Sequence, residues 1–425
     1  MKIIMHGAAQ EVGRSCIEVV SSKNTKVLLD AGIKLGLHGS EFPAGLVSLS
    51  EIDGVFISHA HLDHSGALPL FDHHGLDCPV YATQGTKATS RMLWEDAFKI
   101  GHLKHEDLGY FEEDIEKATA IVKRMKFKEK GKILDIGFQC FDAGHIPGSA
   151  SIVLNVDGKN LLYTGDIKTT ETNLLNGANT DYGVDIDVMI VECTYGDREH
   201  SPRQQVEKRF LNAVRRTLNN GGSVLVPSFA VGRAQELLHI LGKEKFNVPI
   251  YMDGMAVKAT QLALNYSTNL KDSKKLRALF NSVKLVKGRR NRRKLMGKKG
   301  IFLTTSGMLT GGPVMDYLKF MGSNPRNSIL LTGWQGPHTN GRLLEREGFV
   351  YIDGWKKKIK AHHENFDFSA HIGLSDIKKL IKKLSPTTIV LNHGDPLAIQ
   401  NVKEWAEALD YDVRAPELGD IINIE

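Results

Sequence analysis

Short apolar runs recur along the chain, and each is closed by an ionisable side chain. Val27-Leu28-Leu29 ends in Asp30, and Val55-Phe56-Ile57 runs into a stretch that begins at His59. Asn160-Leu161-Leu162-Tyr163 leads through Thr164-Gly165 to Asp166, Val188-Met189-Ile190-Val191 ends in Glu192, and Thr388-Ile389-Val390-Leu391 leads through Asn392 to His393. Runs of this length without polar alternation predict strands buried on both faces, and layered α/β folds gather ligands and catalytic groups at strand ends. The pattern therefore predicts several strand ends converging on one cleft. Helix-length periodic segments such as Arg203–Asn219 and Ala234–Leu241 fill the middle of the chain, and the ligand-bearing runs resume only after it. At 425 residues the chain is long for one core. The expected plan is a nested insertion: residues 1–197 begin one domain, 198–354 form a second, and 355–425 complete the first.

The run His59-Ala60-His61-Leu62-Asp63-His64 packs four metal-capable side chains into six residues. Zinc takes imidazole nitrogens and carboxylate oxygens, and a catalytic zinc keeps one position for water. A His/Asp cluster without thiolates therefore favours hydrolysis over a structural role. Alternation along a short loop points His59 and His61 one way and Asp63 and His64 another, which suits two ions. A lone His-x-His would carry little weight, since surface histidines pair this way by chance. His145 adds a further imidazole on the Gly/Pro-rich stretch Phe141-Asp142-Ala143-Gly144-His145-Ile146-Pro147-Gly148-Ser149, where the backbone is not helical and the ring can reach a metal. The four cysteines, Cys16, Cys78, Cys140 and Cys193, contain no Cys-x-x-Cys pair and read as reduced, packed thiols. Cys193 beside Glu192 reads as a small core residue before it reads as a nucleophile.

Charge is unevenly spread. Residues 271–300 hold thirteen Lys/Arg, among them Arg289, Arg290, Arg292 and Arg293, against the single acid Asp272, in a chain whose formal net charge is only +6. The remainder is net acidic. One dense basic segment in an acidic protein points to a polyanion, because phosphate neutralisation by Lys/Arg dominates non-specific nucleic-acid affinity. A second run, Lys356-Lys357-Lys358-Ile359-Lys360, reads as a polar strand edge. The hydrophobic fraction of 41% is ordinary for a soluble protein, and no apolar run approaches the roughly 20 residues that cross a bilayer. The start, Met1-Lys2-Ile3-Ile4-Met5-His6, turns polar too soon for a signal peptide, so a cytoplasmic protein is expected.

The order Asp30, His59-x-His61-x-Asp63-His64, His145, Asp166 resembles the motifs of the metallo-β-lactamase fold, and Glu192, His371 and His393 resemble its nucleic-acid-cutting β-CASP branch. Within that branch, Gly7-Ala8-Ala9-Gln10-Glu11-Val12-Gly13-Arg14-Ser15-Cys16 is most similar to the nuclease subunit of the cleavage and polyadenylation specificity factor and its archaeal relatives. Val226-Pro227-Ser228-Phe229-Ala230-Val231-Gly232-Arg233-Ala234-Gln235-Glu236, Thr305-Ser306-Gly307-Met308-Leu309, Thr332-Gly333-Trp334-Gln335-Gly336 and Asp367-Phe368-Ser369-Ala370-His371 agree, so the likeness covers nearly the whole chain.

The resemblance implies an α/β fold: an αββα sandwich with an inserted α/β β-CASP domain capping the metal cleft. It implies two Zn2+ per chain, one held by His59, His61 and His145 and the other by Asp63, His64 and His393, with Asp166 bridging. Asp30 would accept a hydrogen bond from a ligand imidazole or from the metal's water. His371 would be the general acid, kept charged by Glu192. Ser369 would hold a phosphate oxygen, while Gly333 and Gly336 let the backbone approach RNA closely. His362 and His363 read as surface or substrate-adjacent residues.

The activity so implied is hydrolysis of single-stranded RNA in 3′-end processing or decay, by endonuclease cleavage or by 5′-to-3′ exonuclease action of the RNase J type. Two other classes stand against it. A small-molecule hydrolase of the lactamase or glyoxalase II type shares His59–His64 but leaves Glu192, His371, the insertion and the basic segment without a use. A non-catalytic RNA-binding subunit would have lost ligands, and here each is present. The terminal Asp420-Ile421-Ile422-Asn423-Ile424 is β-prone, and either pairs with a second copy in a homodimer or adds an edge strand to its own sheet.

Overall fold

The computed structural model describes residues 1–36, 39–45 and 48–425. Two seven-stranded sheets form the sandwich. The first orders Ile421–Asn423, Lys2–Met5, Ile17–Val20, Lys26–Leu29, Gly54–Phe56, Val80–Ala82 and Val122–Arg124. The second orders Asp412–Arg414, Thr388–Asn392, Val188–Glu192, Lys159–Tyr163, Ala150–Val156, Ile136–Asp142 and Lys130–Ile133. Their facing sides share one core, in which Ile3, Val19, Val27 and Phe56 meet Phe138, Ile152, Leu161 and Ile190.

The reverse face of the second sheet packs Met189, Val191, Ile389 and Leu391 against Ile377 and Ile381 of helix Leu374–Leu384 and Ile399 and Val402 of helix Pro396–Glu407. The reverse face of the first packs Leu28, Val55 and Val80 against Phe71, Trp94 and Ile115 from helices Leu68–His73, Gln84–Lys104 and Glu112–Ile121. Helices on both outer faces explain why the strands show no polar alternation: Val188–Glu192 and Thr388–Asn392 are buried at every position. Each such aliphatic contributes roughly 1.5–3 kcal/mol of transfer free energy. Apolar contact therefore carries the sandwich and leaves the charged strand ends to chemistry.

A six-stranded parallel sheet forms the insertion, in the order Lys284–Leu285, Ile250–Asp253, Ile301–Thr304, Val224–Pro227, Ser328–Leu331 and His362–Asn365. The return to the sandwich comes later than the sequence suggested. Residues 354 and 355 fall inside a hairpin of Phe349–Ile352 and Trp355–Lys358, whose Val350 and Ile352 pack into the insertion's core with Tyr317 and Ile329. The strand His362–Asn365 then pairs with Ser328–Leu331. The boundary expected at 355 therefore moves beyond Asn365. Polarity hid it, because Trp355–Lys358 is exposed at every position and His362–Asn365 has no apolar residue to mark it as a strand.

The seam between the domains is apolar beside His59, His61 and His145: Ala60 and Ile146 pack with Met92 from the sandwich and Val231 and Ala259 from the insertion. Asn269 of the insertion adds polar stitches, donating to Asp142 Oδ1 and accepting from Gly148 N, each at 2.9 Å. At the chain's end, Ile421–Asn423 pairs with Lys2–Met5 and becomes an edge strand of its own sheet. Among the described residues, no helix is long and apolar enough to cross a membrane.

Candidate active site

Strand ends deliver the charged groups to one edge of the sandwich. Asp30 follows Lys26–Leu29, His59 follows Gly54–Phe56, Asp166 follows Lys159–Tyr163, Glu192 ends its own strand, and His393 follows Thr388–Asn392. Asp63 and His64 lie on the single helical turn Leu62–Ser65, with His61 just before it. Backbone amides of Ser15, Ala31 and Ile33 grip this turn by donating to the carbonyls of Asp63, His64 and Leu62. A Cβ at Gly32 would stand 1.7 Å from the Asp63 carbonyl oxygen, so only glycine fits beneath it. Asp30 and His393 both take left-handed backbone, at φ +68° and +48°. The His393 amide donates to the Ala8 carbonyl at 2.7 Å, so the segment around Gly7-Ala8-Ala9 braces that histidine from below.

Asp166 lies at the centre. Its Oδ2 is 3.4 Å from His59 Nε2 and 3.6 Å from His145 Nε2, while Oδ1 is 3.2 Å from His64 Nε2 and 3.3 Å from His393 Nδ1. His61 Nδ1 closes the first set, 3.3 Å from His145 Nε2, and Asp63 Oδ2 closes the second, 3.5 Å from His393 Nε2. Outer contacts decide where the ring protons go. The Nδ1 atoms of His145 and His64 face acceptors, the Ala370 carbonyl at 2.9 Å and Asp30 Oδ2 at 2.7 Å, so each donates outward and turns Nε2 inward. His59 Nδ1 meets Ser58 Oγ at 3.1 Å, and that hydroxyl donates to Asp30.

His59 Nε2, His64 Nε2, His393 Nε2 and Asp166 Oδ1 are all buried without a hydrogen-bond partner. Inward lone pairs facing a carboxylate and one another repel unless a cation lies between them, so the residues fit divalent metal ions. Burial, reinforced by neighbouring imidazoles, drives His59 and His145 well below the usual histidine range, into the neutral form that ligates. Burial opposes the charge of Asp166, yet His64, His393 and His371 overcome it and hold that carboxyl well below the usual range. Burial likewise opposes charge on His64, but Asp166 and Asp30 pull it toward its protonated form, and a metal ion competes with that proton for the same lone pair.

Beside Asp166 stands His371, whose Nδ1 is 3.1 Å from both carboxylate oxygens of Glu192. Glu192 is fully buried and accepts the Ile167 amide at 2.8 Å. Burial alone would lower the His371 pKa. Glu192 and Asp166 outweigh it and raise it to about 9, so the ring is charged at neutral pH with Nε2 turned away from the carboxylates. The buried Ser369 accepts the His371 amide on its Oγ at 3.1 Å.

Of the two partners open to Asp30 in the sequence, it meets the imidazole of His64. Its remaining acceptor capacity goes to Ser58 and to Tyr163 Oη at 2.6 Å. Ser58, Tyr163 and Thr194, whose Oγ1 is 3.2 Å from His393 Nδ1, were missed in the sequence. Ser58 adjoins His59 and Tyr163 stands three residues before Asp166, whereas Thr194 has no such neighbour and carries no signal of its own. Cys193 is buried, and burial beside Glu192 pushes its thiol pKa up, which removes it as a nucleophile.

Three domain families match the chain: the metallo-beta-lactamase superfamily domain over residues 19–191, the Beta-Casp domain over 234–344, and the Zn-dependent metallo-hydrolase RNA specificity domain over 356–416. Probable RNase MJ4 of Methanocaldococcus jannaschii is 42% identical across the full length of both proteins. The chain belongs to the β-CASP family of metallo-β-lactamase-fold, RNA-processing hydrolases. Other β-CASP relatives include RNase aCSPSF2 of Saccharolobus solfataricus, 32% identical over 98% of this chain and 84% of that protein. Cleavage and polyadenylation specificity factor 73 of Drosophila melanogaster is 32% identical over 93% of this chain and 60% of its own length. A solved protein of unknown function from Enterococcus faecalis V583 superposes with a TM-score of 0.63 at 14% identity over 99% of each chain, a likeness of fold.

One of the residues expected to meet RNA has other employment in this β-CASP protein. Arg292 is buried, its guanidinium bound to both oxygens of Asp253 at 2.7 and 3.2 Å and to Asp316 at 2.8 Å, so it ties the basic helix Gly288–Leu295 to the sheet. Arg289, Arg290 and Arg293 remain exposed on that helix. At Gly336 a Cβ would stand 3.0 Å from the ring of the exposed Trp334 and 3.4 Å from Met308 Sδ. Gly333, at φ +124°, turns its open side toward the Arg233 guanidinium 3.7 Å away.

Proposed function

We propose that this β-CASP protein is a zinc-dependent endoribonuclease that cuts single-stranded RNA in the cytoplasm, in 3′-end processing or decay, leaving 5′-phosphate and 3′-hydroxyl ends. The observation that carries the reading is Asp166 shared between two imidazole sets, with His371 Nδ1 3.7 Å from it. His59, His61 and His145 would hold one Zn2+, and Asp63, His64 and His393 the other, with Asp166 common to both. Zinc in such a pair lowers the pKa of a water and neutralises charge on the phosphate oxygens. The chain's own groups supply the rest. Asp30 fixes the tautomer and tilt of His64. As a water oxygen bonds to phosphorus and the phosphorus–O3′ bond breaks, the pair of the broken bond passes to the 3′ oxygen, which takes a proton from His371 Nε2, while the attacking water's proton goes to solvent. Glu192 keeps that imidazole charged until the transfer.

RNA labelled separately at either end tests this. Internal cuts that vanish with a chelator and return with zinc are expected. Release of nucleotides from the 5′ end alone would select the second reading, 5′-to-3′ exonuclease action, which the RNase J-like protein of Methanocaldococcus jannaschii favours at 37% identity over 92% of this chain. Cleavage indifferent to chelator would sink both.

The exposed Arg289, Arg290 and Arg293 are proposed to contact phosphates remote from the cut. Changing all three to Gln is expected to weaken RNA binding and reduce the log–log salt slope by about 2, at roughly 0.7 per phosphate contact on a single strand. An unchanged slope in filter binding across salt concentrations would make that helix ordinary surface.

A further inference from the structure

Two crossover segments join the sandwich to the insertion, residues 193–202 outward and 366–373 back, and they lie against each other. The Leu374 amide donates to the Arg198 carbonyl at 3.2 Å, and Ser375 Oγ donates to Glu199 at 2.5 Å. A Cβ at Gly373 would stand 2.9 Å from the His200 ring, which also packs edge-on to Tyr195 with centroids 4.7 Å apart. His200 is wedged between the two segments, and His371 rides on the returning one.

Glu192 fixes the rotation of the His371 ring, but a contact to one ring nitrogen does not fix where the ring stands. Backbone anchors do that. Ser369 Oγ takes the His371 amide, and His145 Nδ1 donates to the preceding carbonyl, that of Ala370. The carbonyl of His371 itself accepts twice, from Lys168 Nζ at 2.9 Å and from His200 Nε2 at 3.2 Å, which uses both of its lone pairs. His200 Nδ1 faces Asp367 Oδ2 at 2.9 Å, while Asp367 Oδ1 accepts the Ser369 amide at 3.0 Å. One carboxylate thus orients His200 and shapes the loop that carries His371. Lys168 is buried with its Nζ on that carbonyl.

We propose that His200, oriented by Asp367 and joined by Lys168, is a positioning residue for leaving-group protonation: it grips the His371 carbonyl and so sets the distance from that imidazole to the 3′ oxygen. The inference rests on His371 being the proton donor. Neither Lys168 nor His200 touches substrate in this scheme. Each acts through the backbone of the residue that does, and displacements of about 1 Å cost on the order of 10²-fold in rate.

The test compares RNA with the same strand carrying a single bridging sulfur in place of the 3′ oxygen at the cut site. A departing thiolate needs no proton, so a fault in proton delivery disappears with that substrate, whereas a fault in folding, metal loading or RNA binding persists. His200→Ala is expected to slow cleavage of ordinary RNA about 10- to 100-fold and of the sulfur strand less than about 3-fold, with metal content unchanged. His200→Gln, whose amide reaches the same carbonyl, is expected to recover most of the loss, and Lys168→Met to behave like His200→Ala. Equal losses on both substrates, or no loss on either, would overturn the proposal. His371→Ala serves as the reference: if sulfur fails to rescue that variant, the proton-donor assignment itself fails and the positioning role falls with it, an outcome separate from a failure confined to His200.

Discussion

Asp166→Asn is expected to strip metal from both sites and to abolish RNA cleavage, a loss of roughly 10³-fold or more from the several kcal/mol that a metal pair supplies to a phosphoryl transition state. Among the described residues, Asp166 alone has one oxygen within 3.6 Å of His59 and His145 and the other within 3.3 Å of His64 and His393. An amide keeps the shape but carries no charge, and its nitrogen offers no lone pair to an ion. One set of imidazoles must then share its cation with a donor rather than an acceptor. The fold is expected to survive, because the apolar layers beneath the cluster are closed without it. Elemental analysis of purified protein, read beside thermal unfolding, checks both halves. Two equivalents of metal retained by the variant would remove Asp166 from the bridging role.

His371→Ala is expected to slow cleavage by about 10² to 10⁴-fold, the span of general acid catalysis, while metal content stays near that of the parent. The separation follows from geometry. The nearest partners of His371 Nδ1 are the two oxygens of Glu192 at 3.1 Å, whereas Asp166 Oδ2 stands at 3.7 Å. The nitrogen that faces Asp166 is the one held by Glu192, and Nε2 turns away from both carboxylates, so the ring is poorly placed to hold an ion in the cluster. If His371→Ala loses metal instead, the parts given to His371 and His393 are exchanged, and Asp166, Glu192 and His371 become a ligand set in their own right.

Much of this cluster is legible in the sequence. Four ligand-type side chains in six residues can only crowd together, and apolar runs ending in charge mark strand ends whatever the topology. Both signals are local. What escaped was set by partners distant along the chain. Arg292 sits among exposed arginines, and nothing in its neighbours reveals that Asp253 and Asp316 claim it. The late return to the sandwich was invisible because Trp355–Lys358 and His362–Asn365 are edge elements, and an edge exposed to water needs no apolar signature. His200 and Lys168 are single polar residues whose shared target is a backbone carbonyl, a group that every residue has and no motif records.

The left-handed backbone at Asp30 and His393 limits what either position can become. Asp, Asn and His visit that region far more readily than other side chains with a Cβ, and β-branched residues scarcely enter it. An alanine there alters the conformational cost of the turn together with the chemistry, and so confounds the two. Asparagine isolates the chemistry. Drift at these sites is similarly channelled toward a few residue types, so a descendant that lost its ion would still carry, in the shape of two turns, a trace of where it had been held.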